Sequence, residues 1–153
     1  MTKLRSADYF FTGFQFLLFL SYFLNYYLFK VGQLLPDFIY GILTAIGIAL
    51  CVLAIFRLQN NLSPFPRPKS KSNLVKDGVF KYIRHPIYTG IFISFLSYGL
   101  YLHSSSKIVV SLLLLVLFYF KSVYEEKLLE QKFSDYLAYK RKTGRFFPKF
   151  IHS

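Results

Sequence analysis

The sequence predicts an all-α polytopic membrane protein with four transmembrane helices, both termini cytoplasmic and the fourth helix extended into the cytosol. Three observations predict it. The 153 residues are 54% hydrophobic and only 17% charged, whereas a soluble domain carries about 25% charged residues. Four apolar stretches divide the chain, at about residues 10–29, 38–56, 86–102 and 108–124. The basic residues collect in alternate connections. Lys3 and Arg5 precede the first stretch; Arg57, Arg67, Lys69, Lys71, Lys76, Lys81 and Arg84 follow the second; Lys121, Lys127, Lys132, Lys140, Arg141, Lys142, Arg145 and Lys149 close the chain. The other two connections hold only Lys30 and Lys107. This is the positive-inside pattern. It explains the net charge of +12 through attraction to anionic membrane lipids and excludes a nucleic-acid partner. The length suits a single domain, residues 1–153, with cytosolic elements at 57–85 and 125–150.

The elements follow in order. The first stretch is uncharged but contains Gln15, Ser21 and Asn25. It is too long for a cleaved signal peptide and lacks a small-residue cleavage site behind it. Pro36 and Asp37 are start signals for the second helix. Nineteen residues there span about 28 Å, close to the hydrocarbon thickness. Gly41, Ala45, Gly47 and Ala49 offer small surfaces for helix packing. Cys51, the single cysteine, reads as a small buried hydrophobe. Pro64, Pro66 and Pro68 stiffen the polar segment and disfavour helix before each of them. Asp77-Gly78 marks a turn, and Pro86 suits the first position of the third helix. His103–Ser106 leaves room only for a tight turn. Beyond residue 124, Leu128, Leu129, Phe133, Tyr136 and Leu137 recur at helical spacing without Pro or Gly. One helix is therefore expected to run on to Lys142, ended by Thr143-Gly144.

The densest chemistry lies in Arg84-His85-Pro86-Ile87-Tyr88-Thr89-Gly90, where a basic segment opens the third helix. Free amides at a helix start favour a negative group, and Gly90 permits a close approach. Glu125-Glu126 stand at the exit of the fourth helix. An antiparallel hairpin brings that exit beside the start of the third, so His85, Tyr88 and both glutamates can meet in one pocket. Arg145 through Pro148 can fold back as a lid. Each residue also has a plainer reading. Arg84 obeys the positive-inside rule, His85 is an interfacial polar group, Tyr88 joins an aromatic belt, and the glutamates pair with Lys121, Lys127 or Arg141. His85, His103 and His152 are scattered and make no metal-ligand set, so no metal is expected. His103 falls on the opposite side of the membrane in this topology.

These residues resemble the small integral-membrane methyltransferases related to isoprenylcysteine carboxyl methyltransferase and phospholipid N-methyltransferases. The similarity runs from about Leu74 to Pro148, with a weaker match in the second span. Leu74-Val75, Asp77-Gly78 and Phe80 match the lead-in, with Val79-Phe80 where Pro-Tyr is usual. Arg84-His85-Pro86, Tyr88 and Gly90 match the most specific motif. Glu125-Glu126, Leu129, Phe133, Tyr136 and Tyr139 match the exit helix, and Arg145-Phe146 and Pro148 the closing motif. The resemblance implies S-adenosyl-L-methionine bound at the cytosolic side. His85, Pro86 and Tyr88 contact it and Gly90 leaves room for it; Glu125 or Glu126 holds its ammonium or a neighbouring basic residue; Arg145 and Pro148 order the far wall. It also implies a lipophilic methyl acceptor entering from the lipid.

Two acceptor chemistries are open: a prenylcysteine-like carboxylate or a phospholipid-type amine. A carboxylate is already ionised and needs an orienting cation, Arg84 or Arg145. An amine must lose a proton, for which Glu125 or Glu126 serves. A thiol needs comparable help. Arg84, Glu125 and Arg145 are accordingly the candidate catalytic residues. Two alternatives stand beside this reading. Membrane steroid-type reductases that use NADPH share Arg-His-Pro-x-Tyr, but carry Asn and Glu where this chain has Ile87 and Ile91. The other is a small membrane scaffold without activity. Oligomeric state is left open.

Overall fold

The computed structural model describes residues 4–24 and 26–149. Lys3, Asn25 and His152, noted above, lie outside the described residues. Five helices form: α1 (Ser6–Tyr22), α2 (Asp37–Leu58), α3 (Pro86–Tyr101), α4 (Ser105–Lys132) and α5 (Tyr136–Lys142), with 3₁₀ turns at Gln59–Asn61 and Gly78–Lys81. There is no named strand among the described residues; a lone parallel bridge joins Ile83 to Gly144. α2 and α4 are long and apolar enough to cross a membrane.

The helices pack in the order α1–α4–α3–α2. α1 turns Asp8, Thr12, Leu18 and Tyr22 inward, two pairs each four residues apart, the spacing of neighbours on one helix face. Leu18 and Tyr22 meet Val110, Leu114, Leu117 and Phe118 of α4 in the apolar core, with Phe95 of α3 packed against them. α2 buries Tyr40, Gly47 and Ala54. A Cβ on Gly47 would lie 2.7 Å from the Gly90 carbonyl oxygen, and one on Gly90 would lie 2.5 Å from Gly47 O and from Cys51 Sγ. The two backbones touch because neither residue has a side chain at the crossing. Of the small residues read as packing surface, Gly47 serves within the chain; Ala45 and Ala49 are exposed, and nothing lies near Gly41. Cys51 is half-buried against this crossing, its Sγ 3.5 Å from the Ile87 carbonyl.

Two helix boundaries differ from the sequence expectation. The first helix was expected over residues 10–29 but occupies Ser6–Tyr22. Lys107 ends it: its Nζ donates to Tyr22 O at 2.6 Å and lies 4.8 Å from the Tyr22 ring centre. A cation on the last carbonyls stabilises a helix C-terminus. The following amides are drawn to α4 instead, Tyr26 N to Ser106 Oγ and Leu28 N to Ser105 Oγ. The helix expected to run unbroken to Lys142 breaks at residues 133–135. Phe133 is extended, and Asp135 opens α5 while pairing with Lys76 Nζ at 2.5 Å. The break folds α5 back, so that Lys140 reaches Glu130 and Glu126 on α4. α5 then ends before Thr143-Gly144, as the sequence indicates.

Candidate active site

The starts of α3 and the exit of α4 lie side by side. Pro86 opens α3 with His85 as the preceding cap residue. The His85 ring lies parallel to Tyr88, centroids 5.3 Å apart, and Tyr88 stacks on Phe118 at 4.6 Å. Tyr88 Oη donates to Glu125 Oε2 at 3.0 Å. His85 Nδ1 is 3.7 Å from the same oxygen. His85 Nε2 lies 3.3 Å from Glu126 Oε1, close but not aligned for a hydrogen bond. His85, Tyr88 and both glutamates thus converge.

The two glutamates have different surroundings. Glu126 is 1% exposed and ringed by cations. Arg84 Nε donates to its Oε1 at 3.0 Å; Arg145 donates twice, Nε to Oε1 at 3.1 Å and Nη2 to Oε2 at 3.0 Å; Lys140 Nζ is 3.1 Å from Oε2. Bidentate guanidinium contacts of this kind are strong and directional. The hydrogen bonds to Glu126 hold the Arg145 pKa above its usual value. Burial lowers the Lys140 pKa, but bonds to Glu130 and Glu126 outweigh it and the net shift is upward. Burial also pushes Tyr139 up to about 12, against the opposing charge of Arg84. Glu125 is 26% exposed and faces a cavity of about 360 Å³.

Residues 144–146 run beside 82–85. Arg84 N donates to Gly144 O at 2.9 Å, His85 N to Arg145 O at 3.1 Å and Gly144 N to Tyr82 O at 3.1 Å. Thr89 Oγ1 adds a bond to Phe146 O at 2.9 Å. The segment read as a lid is therefore pinned against the start of α3, and none of its residues lines the cavity. A Cβ on Gly144 would fall 1.7 Å from Phe147 O, so the segment admits no side chain there. Arg84 Nη1 also donates to Lys140 O at 3.1 Å and to Thr143 O.

Arg84, His85, Pro86, Tyr88 and Glu125 line the cavity; Gly90, Glu126, Arg145 and Pro148 do not. The resemblance assigned Gly90 to the cofactor, but its bare face is filled by α2. Pro148 is exposed. Arg145 is committed to Glu126 and to the Tyr119 ring, 5.2 Å away.

Sequence reasoning missed the opposite wall. The proline segment crosses the cavity, held by Lys121 Nζ to Pro64 O at 2.9 Å and Thr12 Oγ1 to Pro64 O at 3.2 Å. Arg67 Nε pairs with the buried Asp8 at 3.0 Å. Gln15 lines the cavity from α1. The signal was a polar residue inside each of two apolar helices, Gln15 and Lys121, which need partners when buried.

Residues 37–136 match the family described as phospholipid methyltransferase. The match runs from the first residue of α2 to the first of α5, covering Arg84 through Gly90 and Glu125-Glu126. No curated protein matches the chain. Methyltransferases of this type generally use S-adenosylmethionine, and their membrane setting agrees with the apolar side chains of α2 left exposed, among them Ile42, Ile46, Leu53 and Phe56. Matched over well more than half its length, the protein belongs to the phospholipid methyltransferase family.

Proposed function

We propose that the protein transfers a methyl group from S-adenosyl-L-methionine to a lipophilic amine of the phospholipid type at the membrane surface. The observation that carries the choice of an amine is the unequal use of the two glutamates. Arg145 and Lys140, with Arg84 through Nε, are spent on Glu126. Of the two arginines the sequence offered for orienting a carboxylate acceptor, Arg145 is thereby committed and Arg84 partly so, whereas the carboxylate of Glu125 faces the cavity. Glu125 Oε1 takes part in no hydrogen bond among the described residues, while Oε2 accepts from Tyr88.

The residues present fit the cofactor. A carboxylate facing a cavity suits its positive charges, and the parallel rings of His85 and Tyr88 suit a flat base and a cation. The buried Tyr136 hydroxyl, which has no hydrogen-bond partner among the described residues, belongs to a residue of the same lining. Pro86, Tyr88, His85 and Glu125 are the residues we assign to holding it. When bound, S-adenosylmethionine supplies a methyl on a positively charged sulfur. Glu125 Oε1 receives the proton that an acceptor ammonium must shed. Tyr88 fixes the carboxylate by its hydrogen bond, and the proline segment shields the cavity from water, so positioning supplies much of the rate. Glu126, Arg84 and Arg145 hold the walls in place. The reductase and scaffold alternatives find no support in the family match.

We read the whole chain as one domain with four crossings and both termini cytoplasmic. α1 and α3 are short, about 26 and 24 Å at 1.5 Å per residue, but both pack along α4. α4 itself, at about 42 Å, exceeds the hydrocarbon thickness and overhangs on the basic side. Tags at either terminus labelled only from the outside would overturn this orientation.

The test uses purified protein in mixed lipid with methyl-labelled S-adenosylmethionine. Phosphatidylethanolamine, a prenylated cysteine and a hydrophobic thiol are offered in parallel, with Glu125→Gln as the blank. Label in phosphatidylethanolamine alone is expected. Label in the prenylcysteine carboxylate would overturn the amine reading.

A further inference from the structure

Three side chains on the α1 side of the cavity carry N–H groups with no partner among the described residues. Gln15 accepts from Lys121 Nζ at 2.6 Å through Oε1. An ammonium only donates, so the amide is oriented and Nε2 is left over. Lys121 gives one further N–H to Pro64 O and stands 5.7 Å from the centre of the Tyr88 ring, with a third N–H that has no hydrogen-bond acceptor among the described residues. Arg67 gives Nε to Asp8 and Nη2 to Tyr124 Oη at 3.4 Å, leaving Nη1. All three residues line the same cavity. Lys121 and Tyr124, which holds Arg67, are three residues apart on α4, about one helical turn.

The charges are also unbalanced. Lys121 is 1% exposed, its hydrogen-bond acceptors are both neutral, and no carboxylate pairs with it among the described residues. A buried ammonium that no carboxylate contacts is unfavourable, and the charge of Glu125 acts on it only from a distance. Glu125, one turn further along α4, gives the cavity its negative end.

We propose that Gln15, Lys121 and Arg67 form an oxyanion subsite that binds a single negative group of a bound ligand. This deepens the methyltransferase reading and rests on it for the identity of that ligand. Two sources share the chemistry: the phosphodiester of a phospholipid acceptor and the carboxylate of the cofactor. Gln15 belongs to α1, outside the residues that match the family.

The test is direct binding to the full chain in detergent micelles, measured by calorimetry. The probes are dihexanoylphosphatidylethanolamine against neutral dihexanoylglycerol, and S-adenosylhomocysteine against its descarboxy analogue. Gln15→Glu keeps the acceptor for Lys121 but replaces the free donor with a carboxylate. A loss of tenfold or more for the phospholipid, with dihexanoylglycerol and S-adenosylhomocysteine unchanged, assigns the subsite to the acceptor. The same loss for S-adenosylhomocysteine, spared in the descarboxy analogue, assigns it to the cofactor. Arg67→Lys keeps the charge beside Asp8 and is expected to give a smaller loss, about threefold, for the same ligand. Equal affinities in variant and wild type, equal losses for anionic and neutral probes, or no binding of either anion by wild type would overturn the proposal. Binding needs no turnover. A chain that binds the phospholipid through Gln15 but transfers no methyl fails the functional reading and keeps the subsite.

Discussion

Arg84 and Glu126 form a buried ion pair, Nε to Oε1 at 3.0 Å, with side chains 8% and 1% exposed. The pair joins the entrance of α3 to the exit of α4, and Arg145 and Lys140 close on the same carboxylate. It does not line the cavity, whereas Glu125 does, and the function proposed above accordingly rests on Glu125.

Glu126→Gln is therefore expected to destabilise the fold, because it leaves Arg84 and Arg145 around a buried amide without a carboxylate, while Lys140 keeps Glu130. Removing one partner of a buried pair costs about 3–5 kcal/mol. Thermal unfolding in detergent checks this, and a midpoint equal to wild type would show that the cluster contributes little.

Glu125→Gln is the contrasting change. The amide oxygen still accepts from Tyr88, so the unfolding midpoint is expected to stay near wild type. Loss of the charge is expected to weaken S-adenosylhomocysteine by about tenfold or more, equivalent to about 1.4 kcal/mol. Calorimetry measures it, and undiminished affinity would remove Glu125 from the cofactor site.

Gly90→Ala drives a methyl group into α2, 2.5 Å from Gly47 O. Overpacking of this kind costs about 1–3 kcal/mol. Gly41→Ala is the control: nothing lies near it, and alanine favours helix by about 1 kcal/mol over glycine. Paired melting curves should move in opposite directions. If Gly90→Ala instead melts normally and loses only cofactor affinity, its glycine serves the cofactor after all.

Stability should fall at alkaline pH. Tyr139 is pushed up to about 12 from 10.0, mainly by burial, and its Oη donates to Phe80 O at 2.7 Å. Below pH 10 both states are protonated and the group contributes no pH dependence. Between about 10 and 12 the unfolded chain loses this proton first, so stability drops as pH rises. Lys140, with its pKa raised above 10.5, acts in the same direction: its contribution is complete below 10.5 and is lost through its folded pKa. Tyr139→Phe should flatten the limb between pH 10 and 12 in urea unfolding curves. An unchanged slope would mean that Tyr139 ionises as readily folded as unfolded.

Much of the helical frame was legible from local chemistry. Pro86 starts α3 because a proline costs nothing at the first position, and Asp37 starts α2 as read. The meeting of His85, Tyr88, Glu125 and Glu126 was legible too, since a short turn forces α3 and α4 into an antiparallel pair. The end of α1 was not legible, because Lys107, distant in sequence, captures the Tyr22 carbonyl. The break at Phe133 was hidden for the same reason: Lys76 draws Asp135 away from a continuous helix.

Apolar periodicity and the placement of Lys and Arg are properties of the chain alone, and they specify an all-helical membrane protein and the positions of its chemical motif. The division of labour between two adjacent glutamates is not such a property. Glu125 and Glu126 are consecutive and chemically alike, but successive residues on a helix point about 100° apart. One turns into a ring of three cations and the other toward a cavity. Gly90 shows the same limit, since a bare Cα permits a close approach by ligand or helix alike, and only the packing of α2 against α3 decides which one arrives.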